Sequence, residues 1–220
     1  MKPKATAAVA VIVAMTLAMK RLTIVGNAPL SRDLSAFVDQ SDLVLRIGWP
    51  RTWGGESGSR FDIWVLQNGK GGRGYVESRC FLACPFRDLA REIWFPRALG
   101  LHNRIPLHPS YGGCVVDAAL DDISLEILKA NDLRQPWIRL DEAFYARCIS
   151  QLFDLSNPDC VVLMPSTGFL AAHYVFETMP DYRLTMVGFS FEGWPGHPWT
   201  LEQAHIASLA SQGRLEFIPA

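Results

Sequence analysis

Short apolar runs of strand length recur along this chain, and helical patterns fall between several of them. The runs cover residues 22–25, 43–47, 61–66, 92–95, 160–164, 184–189 and 215–218. Helix-spaced apolar residues occupy 29–38, 141–153, 168–178 and 201–210. Strands that alternate with helices form βαβ units, and such units assemble a mainly parallel sheet covered on both faces. The expected fold class is therefore α/β, a single Rossmann-like domain with a central, mostly parallel sheet. Its 220 residues, 49% of them hydrophobic, suffice for one such core.

Two strand–turn–helix edges stand out. The first ends in Gly26-Asn27 and is followed by Pro29, which suits a first helical turn because its missing N–H is unpaired there anyway. Gly26 permits close backbone approach, and Asn27 offers both a donor and an acceptor. No G-x-G-x-x-G follows, so the edge is not a dinucleotide fingerprint. The second edge is Pro165-Ser166-Thr167-Gly168, between an apolar run and a helical one. Small residues let backbone amides face a ligand, and a helix N-terminus favours negative charge. Two readings are open at this turn: Ser166 as a helix cap, or Ser166, Thr167 and Gly168 as a phosphate cradle.

A third segment runs His197-Pro198-Trp199-Thr200-Leu201-Glu202-Gln203. Thr200 and Gln203 read as a capping box that opens a helix. His197 precedes it on the loop Gly193-Trp194-Pro195-Gly196, free to face a cleft and able to accept a proton near neutral pH. An exposed loop histidine without a role is the alternative.

Other chemistries find less support. A net charge of −1 lacks the basic excess of a nucleic-acid or anionic-membrane binder. Of the five cysteines, Cys80 and Cys84 are the only close pair, and no second pair or suitable His closes a zinc site, so free thiols are expected. Asp117, Asp121 and Asp122 lack the D-x-D spacing of a metal clamp on a nucleotide diphosphate. Asp122 and Glu126 read as a solvated helix face. The stretch 69–74 reads as a mobile surface loop, and the irregular stretch 100–113, with His102 and His108, as an acceptor-site element or a surface crossing.

Taken together, the segments resemble the sialyltransferase-type glycosyltransferases, as a short, divergent bacterial member. The matching residues are Val25-Gly26-Asn27, Asp39 to Asp42, Val44-Leu45-Arg46-Ile47, Gly58 and Phe61-Asp62-Ile63; then Pro165-Ser166-Thr167-Gly168 and Gly188-Phe189; then His197 with Glu202. The resemblance implies a variant glycosyltransferase-A-like fold and an inverting transfer from a CMP-activated sugar, sialic acid or a related keto-sugar acid, to a glycan or glycolipid acceptor. It implies His197 as catalytic base. Donor-binding residues would be Gly26, Asn27, Arg46, Ser166, Thr167, Gly168, Gly188 and Phe189, with Glu202 holding the last helix. No metal and no cofactor beyond the donor substrate are implied. The chain departs from the family pattern at Gly48, where an Asn is usual, and it lacks a second upstream His and the joining cysteine pair. A catalytically inactive nucleotide-binding or accessory protein of the same fold therefore stays open, as does an unrelated nucleotide-using enzyme.

At the amino end, basic Met1-Lys2-Pro3-Lys4 precedes an apolar run at 5–19, shorter than the roughly twenty residues a bilayer span needs. Residues 1–18 are expected to lie outside the domain, which would occupy 19–220 in the cytoplasm. Anchorage to the inner membrane through residues 5–19 is the alternative.

Overall fold

The computed structural model describes residues 19–97, 122–157, 160 and 162–220. The expectations for residues 1–18, for 100–113, and for Cys114, Asp117 and Asp121 lie outside the described residues. The strands are β1 (Lys20–Val25), β2 (Leu43–Ile47), β3 (Ile63–Val65), β4 (Glu92–Phe95), β5 (Trp137–Arg139), β6 (Tyr182–Val187) and β7 (Leu215–Ile218). They form one seven-stranded sheet in the order β5-β4-β3-β2-β1-β6-β7, and every pairing is parallel. The chain steps outward from β1 to β5, then returns to the far side of β1. The direction of winding thus reverses between β1 and β6, the switch point where the carboxyl ends of an α/β sheet leave a crevice.

Six α-helices are described: α1 (Ser35–Asp39), α2 (Arg73–Ser78), α3 (Ser124–Ala130), α4 (Glu142–Leu152), α5 (Thr167–Thr178) and α6 (Trp199–Ser211). Successive strand residues face opposite ways, so both faces of the sheet are covered. In β3, Ile63 and Val65 join the core beneath α4, α5 and α6, with Phe144, Phe169 and Ile206. Trp64, between them, joins the opposite core with Phe81, Phe95 and Ile127.

Several elements differ from expectation. Among its described residues, the apolar run 160–164 adds no strand to the sheet. Both sides of β1 are occupied by β2 and β6, and Met164 N–H instead donates to the Gly196 carbonyl at 3.1 Å. Residues 29–34 do not begin a helix: Ala28 N–H donates back to Gly188, and an Asx turn from Asp33 to Ser35 N–H delays α1 to Ser35. Thr200 is no cap, since α6 opens after Pro198, whose carbonyl already accepts from Glu202 N–H. The stretch 69–74 is no open loop. It folds into a 3-10 turn and the start of α2, with Gly72 so close to Gln67 that a Cβ there would lie 2.4 Å from its carbonyl oxygen. Asp122 is not on a helix face either. Its carboxylate accepts from Ser124 N–H and Asn68 Nδ2 at 3.0 Å each, and pairs with Arg139.

Candidate active site

A cleft of about 1020 Å³ runs along the carboxyl edge of the sheet across the switch point. Gly26 and Asn27 after β1, Gly48 and Arg51 after β2, Gly188 and Phe189 after β6, and the first turns of α5 and α6 all line it. Of the site residues read from the sequence, Gly26, Asn27, Ser166, Thr167, Gly168, Gly188, Phe189 and His197 are thus brought together. Arg46 is not.

The glycines are there for contact. A Cβ on Gly26 would lie 2.2 Å from the Gly188 carbonyl oxygen, and Gly188 itself has a φ of +70°. With Gly26 N–H donating to Val187 at 2.9 Å, the ends of β1 and β6 are pressed together more closely than side chains allow. Gly168 carries the ring of Phe189, whose Cε1 is 2.4 Å from where its Cβ would be. Asn27 ties the cleft wall: its Nδ2 donates to the Ile47 carbonyl at 2.8 Å and its Oδ1 accepts from Arg51 N–H at 3.1 Å.

Arg46 corrects the sequence expectation. It is fully buried in β2. Its guanidinium donates to the carbonyls of Arg60, Ser57 and Gly58 and to the Ser57 hydroxyl, at 2.7–2.9 Å. Neighbouring residues of the same motif do related work. Asp39 accepts from Ser59 and Arg60 N–H, and Asp62 accepts from Val44 N–H. The motif around Arg46 builds the β2–β3 connection and presents no side chain of Arg46 to the cleft.

Ser166 is the N-cap of α5, accepting from Phe169 N–H at 3.1 Å. Its own N–H and hydroxyl donate to the two carboxylate oxygens of Glu202, at 2.6 and 2.7 Å. Capping and tethering therefore engage Ser166 fully. The N–H groups of Thr167 and Gly168, in the first helical turn, have no partner within the helix. Glu202 is wholly buried, and that burial pushes its carboxyl up to about 7.

His197 sits on the same rim. Its Nδ1 is 2.6 Å from the Met164 carbonyl oxygen. A carbonyl can only accept, so Nδ1 carries the proton and Nε2 carries the lone pair in the neutral ring. No described residue hydrogen-bonds Nε2. Two indoles, Trp194 and Trp199, flank the ring edge-to-face, each with its centroid 4.9 Å away. Burial, with a contribution from the Arg97 guanidinium, depresses His197 to about 4, so it is neutral at physiological pH. His173 and His205 lie elsewhere, packed together on α5 and α6 with ring centroids 5.1 Å apart.

Arg97 was not legible as a site residue. It follows β4 at the carboxyl edge of the sheet, is 5% exposed, and acts electrostatically on both His197 and Glu202. Its place at a strand's carboxyl end was the available signal. Among the described residues, no group of three or more His, Cys, Asp or Glu could hold a metal ion, and no helix is long and apolar enough to cross a membrane. No protein-family model matches the chain, and no curated protein matches it significantly.

Proposed function

We propose that this protein is a sialyltransferase-like, inverting glycosyltransferase that takes a CMP-activated keto-sugar acid as donor and a glycan or glycolipid as acceptor. One observation carries the reading. A single switch-point cleft is lined both by Thr167 and Gly168, whose amides have no partner within α5, and by a neutral histidine with its lone pair on Nε2. The amides of Thr167 and Gly168, with the helix dipole behind them, suit the donor's single phosphate without a metal ion. Gly26, Asn27, Gly188 and Phe189 wall the nucleotide side.

In the reaction, His197 Nε2 takes the proton of an acceptor hydroxyl as its oxygen attacks the anomeric carbon. The bond from that carbon to the phosphate oxygen breaks, and its electron pair leaves with CMP. The new glycosidic bond forms on the opposite face, which inverts the centre. A histidine held near 4 is a weak base, and an anionic donor in the same cleft favours its protonated form, raising its basicity when substrate is present. The Nδ1–H bond to Met164 fixes the tautomer and would stabilise the imidazolium as it forms.

A second reading has its own support. Ser166 is engaged by Glu202, Arg46 by the β2–β3 connection, and Gly48 brings no side chain. A nucleotide-binding accessory protein needs no more than the remaining cleft. Thermal shift with CMP, UDP, GDP and ATP, with and without EDTA, tests both readings. CMP alone should stabilise, and EDTA should leave the shift unchanged. A ligand at a hundred times its Kd adds about 2.7 kcal/mol. Release of CMP from a CMP-sugar by the protein then favours the enzyme, and CMP binding without turnover favours the accessory protein. Stabilisation by a purine nucleotide, or only with Mg²⁺, sinks the assignment.

A further inference from the structure

The carboxylate of Glu202 already occupies the start of α5. It is buried beneath the cleft wall and takes both donors of Ser166. An anion that docks on the next two amides therefore shares one helix terminus with a carboxyl group of the protein itself. Resting on the anion-binding reading of this cleft, we propose that Glu202 is a positioning residue that holds the Ser166 turn open to an anion and takes up a proton when the anion docks on Thr167 and Gly168.

Among the described residues, three elements present polar groups to Glu202. Ser166 comes from α5, Arg97 from the end of β4, and Tyr145 from α4. Arg97 is the one cation among them. It is buried itself, its Nη1 donates to the sulfur of Met164, a weak acceptor, and no described residue hydrogen-bonds its Nε. That arrangement leaves the negative charge of Glu202 only partly compensated. A second negative charge at the same terminus favours the neutral carboxyl, since like charges disfavour ionisation. Neutralising Glu202 does not release the turn, because the remaining carbonyl oxygen still accepts from Ser166 N–H. Burial already places the group near half-protonation at neutral pH, so little free energy separates its two states there.

Calorimetry of CMP and of methyl phosphate, in two buffers of different ionisation enthalpy, tests this between pH 7.5 and 9. Both phosphates lose their second proton near pH 6 and are fully dianionic in that range, as for phosphate monoesters generally. The wild type should take up a fraction of a proton per ligand bound, and its Kd should rise with pH, by at most about tenfold per unit for one linked proton. E202Q keeps the shape without the charge. It should bind with no proton uptake and a flat pH profile. A purely structural Glu202 would instead weaken E202Q equally at every pH and leave the slope intact. Infrared difference spectra of the wild type should show a protonated carboxyl appearing on ligand addition, a readout that needs no variant.

CMP binding with no proton uptake, or with uptake retained in E202Q, overturns the inference and leaves the donor assignment standing. Linked binding of methyl phosphate, with CMP no tighter, upholds the inference and removes the donor assignment. If neither ligand binds, both fall.

Discussion

Arg46 and Arg97 are both buried arginines near the carboxyl edge of one sheet, and their surroundings are opposite. Arg46 donates four hydrogen bonds to oxygens of a single connection, and burial, opposed by the nearby Asp39 carboxylate, lowers it only to about 10, still charged. Among the described residues, Arg97 donates to a thioether, and its Nε has no partner. Around Arg46, polar groups close on one another and the result is a rigid crossover. Around Arg97, Glu202 and His197, no described residue pairs with Arg97 Nε or His197 Nε2, and each group is shifted from its ordinary protonation range. Buried charge costs free energy unless it is paired, and perturbed groups of this kind cluster at functional sites. The first region holds the fold; the second is the one on which the proposed chemistry rests.

The sharpest way to break this contrast is at Arg46 itself. Arg46→Ala leaves three buried carbonyls without a donor and opens a cavity, which should cost about 3 kcal/mol or more. Arg97→Met, which removes a poorly compensated charge at similar volume, should cost less than about 1 kcal/mol or even stabilise. Urea midpoints of the two variants decide the matter. If Arg97→Met unfolds the chain and Arg46→Ala does not, the division of roles is wrong.

Activity gives the next effect. His197→Ala should lower transfer by roughly 10²–10⁴-fold, the range of a positioned general base, with CMP affinity near wild type. His205→Ala is the control, because His205 packs against His173 and Phe169 and does not line the cleft. A silent His197→Ala beside an inactive His205→Ala would move the base to the other histidine. A smaller effect belongs to Gly168. Its substitution by Ala forces the Phe189 ring to shift, at roughly 1–3 kcal/mol, and should weaken CMP binding. Gly74→Ala, where nothing lies within 4 Å, should instead leave binding unchanged and stabilise α2 slightly. Equal loss of CMP affinity in both variants would show that Gly168 matters only through global stability.

What could be read from the sequence divides along physical lines. β2 and β4 match their apolar runs residue for residue, since a buried parallel strand writes a continuous apolar signal, and β7, an edge strand with only Leu215 buried, was legible from its Leu-x-Phe-Ile run. β5 went unread because it is a three-residue edge strand whose side chains are largely exposed. The run 160–164 shows the converse: it is apolar enough for a strand, yet its backbone partner is the loop that carries His197. The cleft residues were legible as turns, because Gly26, Gly168 and Gly188 mark the close approaches. The role of Arg46 was not, because a buried arginine bonded to its own chain and one bonded to a ligand have the same sequence. Glu202 was legible as a helix-holding residue; its partner Ser166 lies 36 positions away and is joined to it only by the fold.

The finest test of the contrast is the acid limb of stability. In the unfolded chain a histidine binds its proton below about pH 6.5, whereas His173 and His197 in the fold resist it until about 4. Between those values the unfolded state holds more protons, so these two groups weaken the fold as pH falls from 6.5 to 4. Glu202 acts with the opposite sign. Its folded carboxyl binds a proton up to about 7, against 4.5 in the unfolded chain, so it favours the fold as pH falls from 7 to 4.5. In the shared window, 4.5 to 6.5, Glu202 offsets about one histidine. E202Q should therefore show a steeper loss of stability toward acid than the wild type, and His197→Ala a shallower one. Urea midpoints at half-unit steps from pH 7 to 4.5 measure both slopes. If the E202Q curve parallels the wild type, the Glu202 carboxyl is ionised throughout the window, and the region around it is as fully compensated as the one around Arg46.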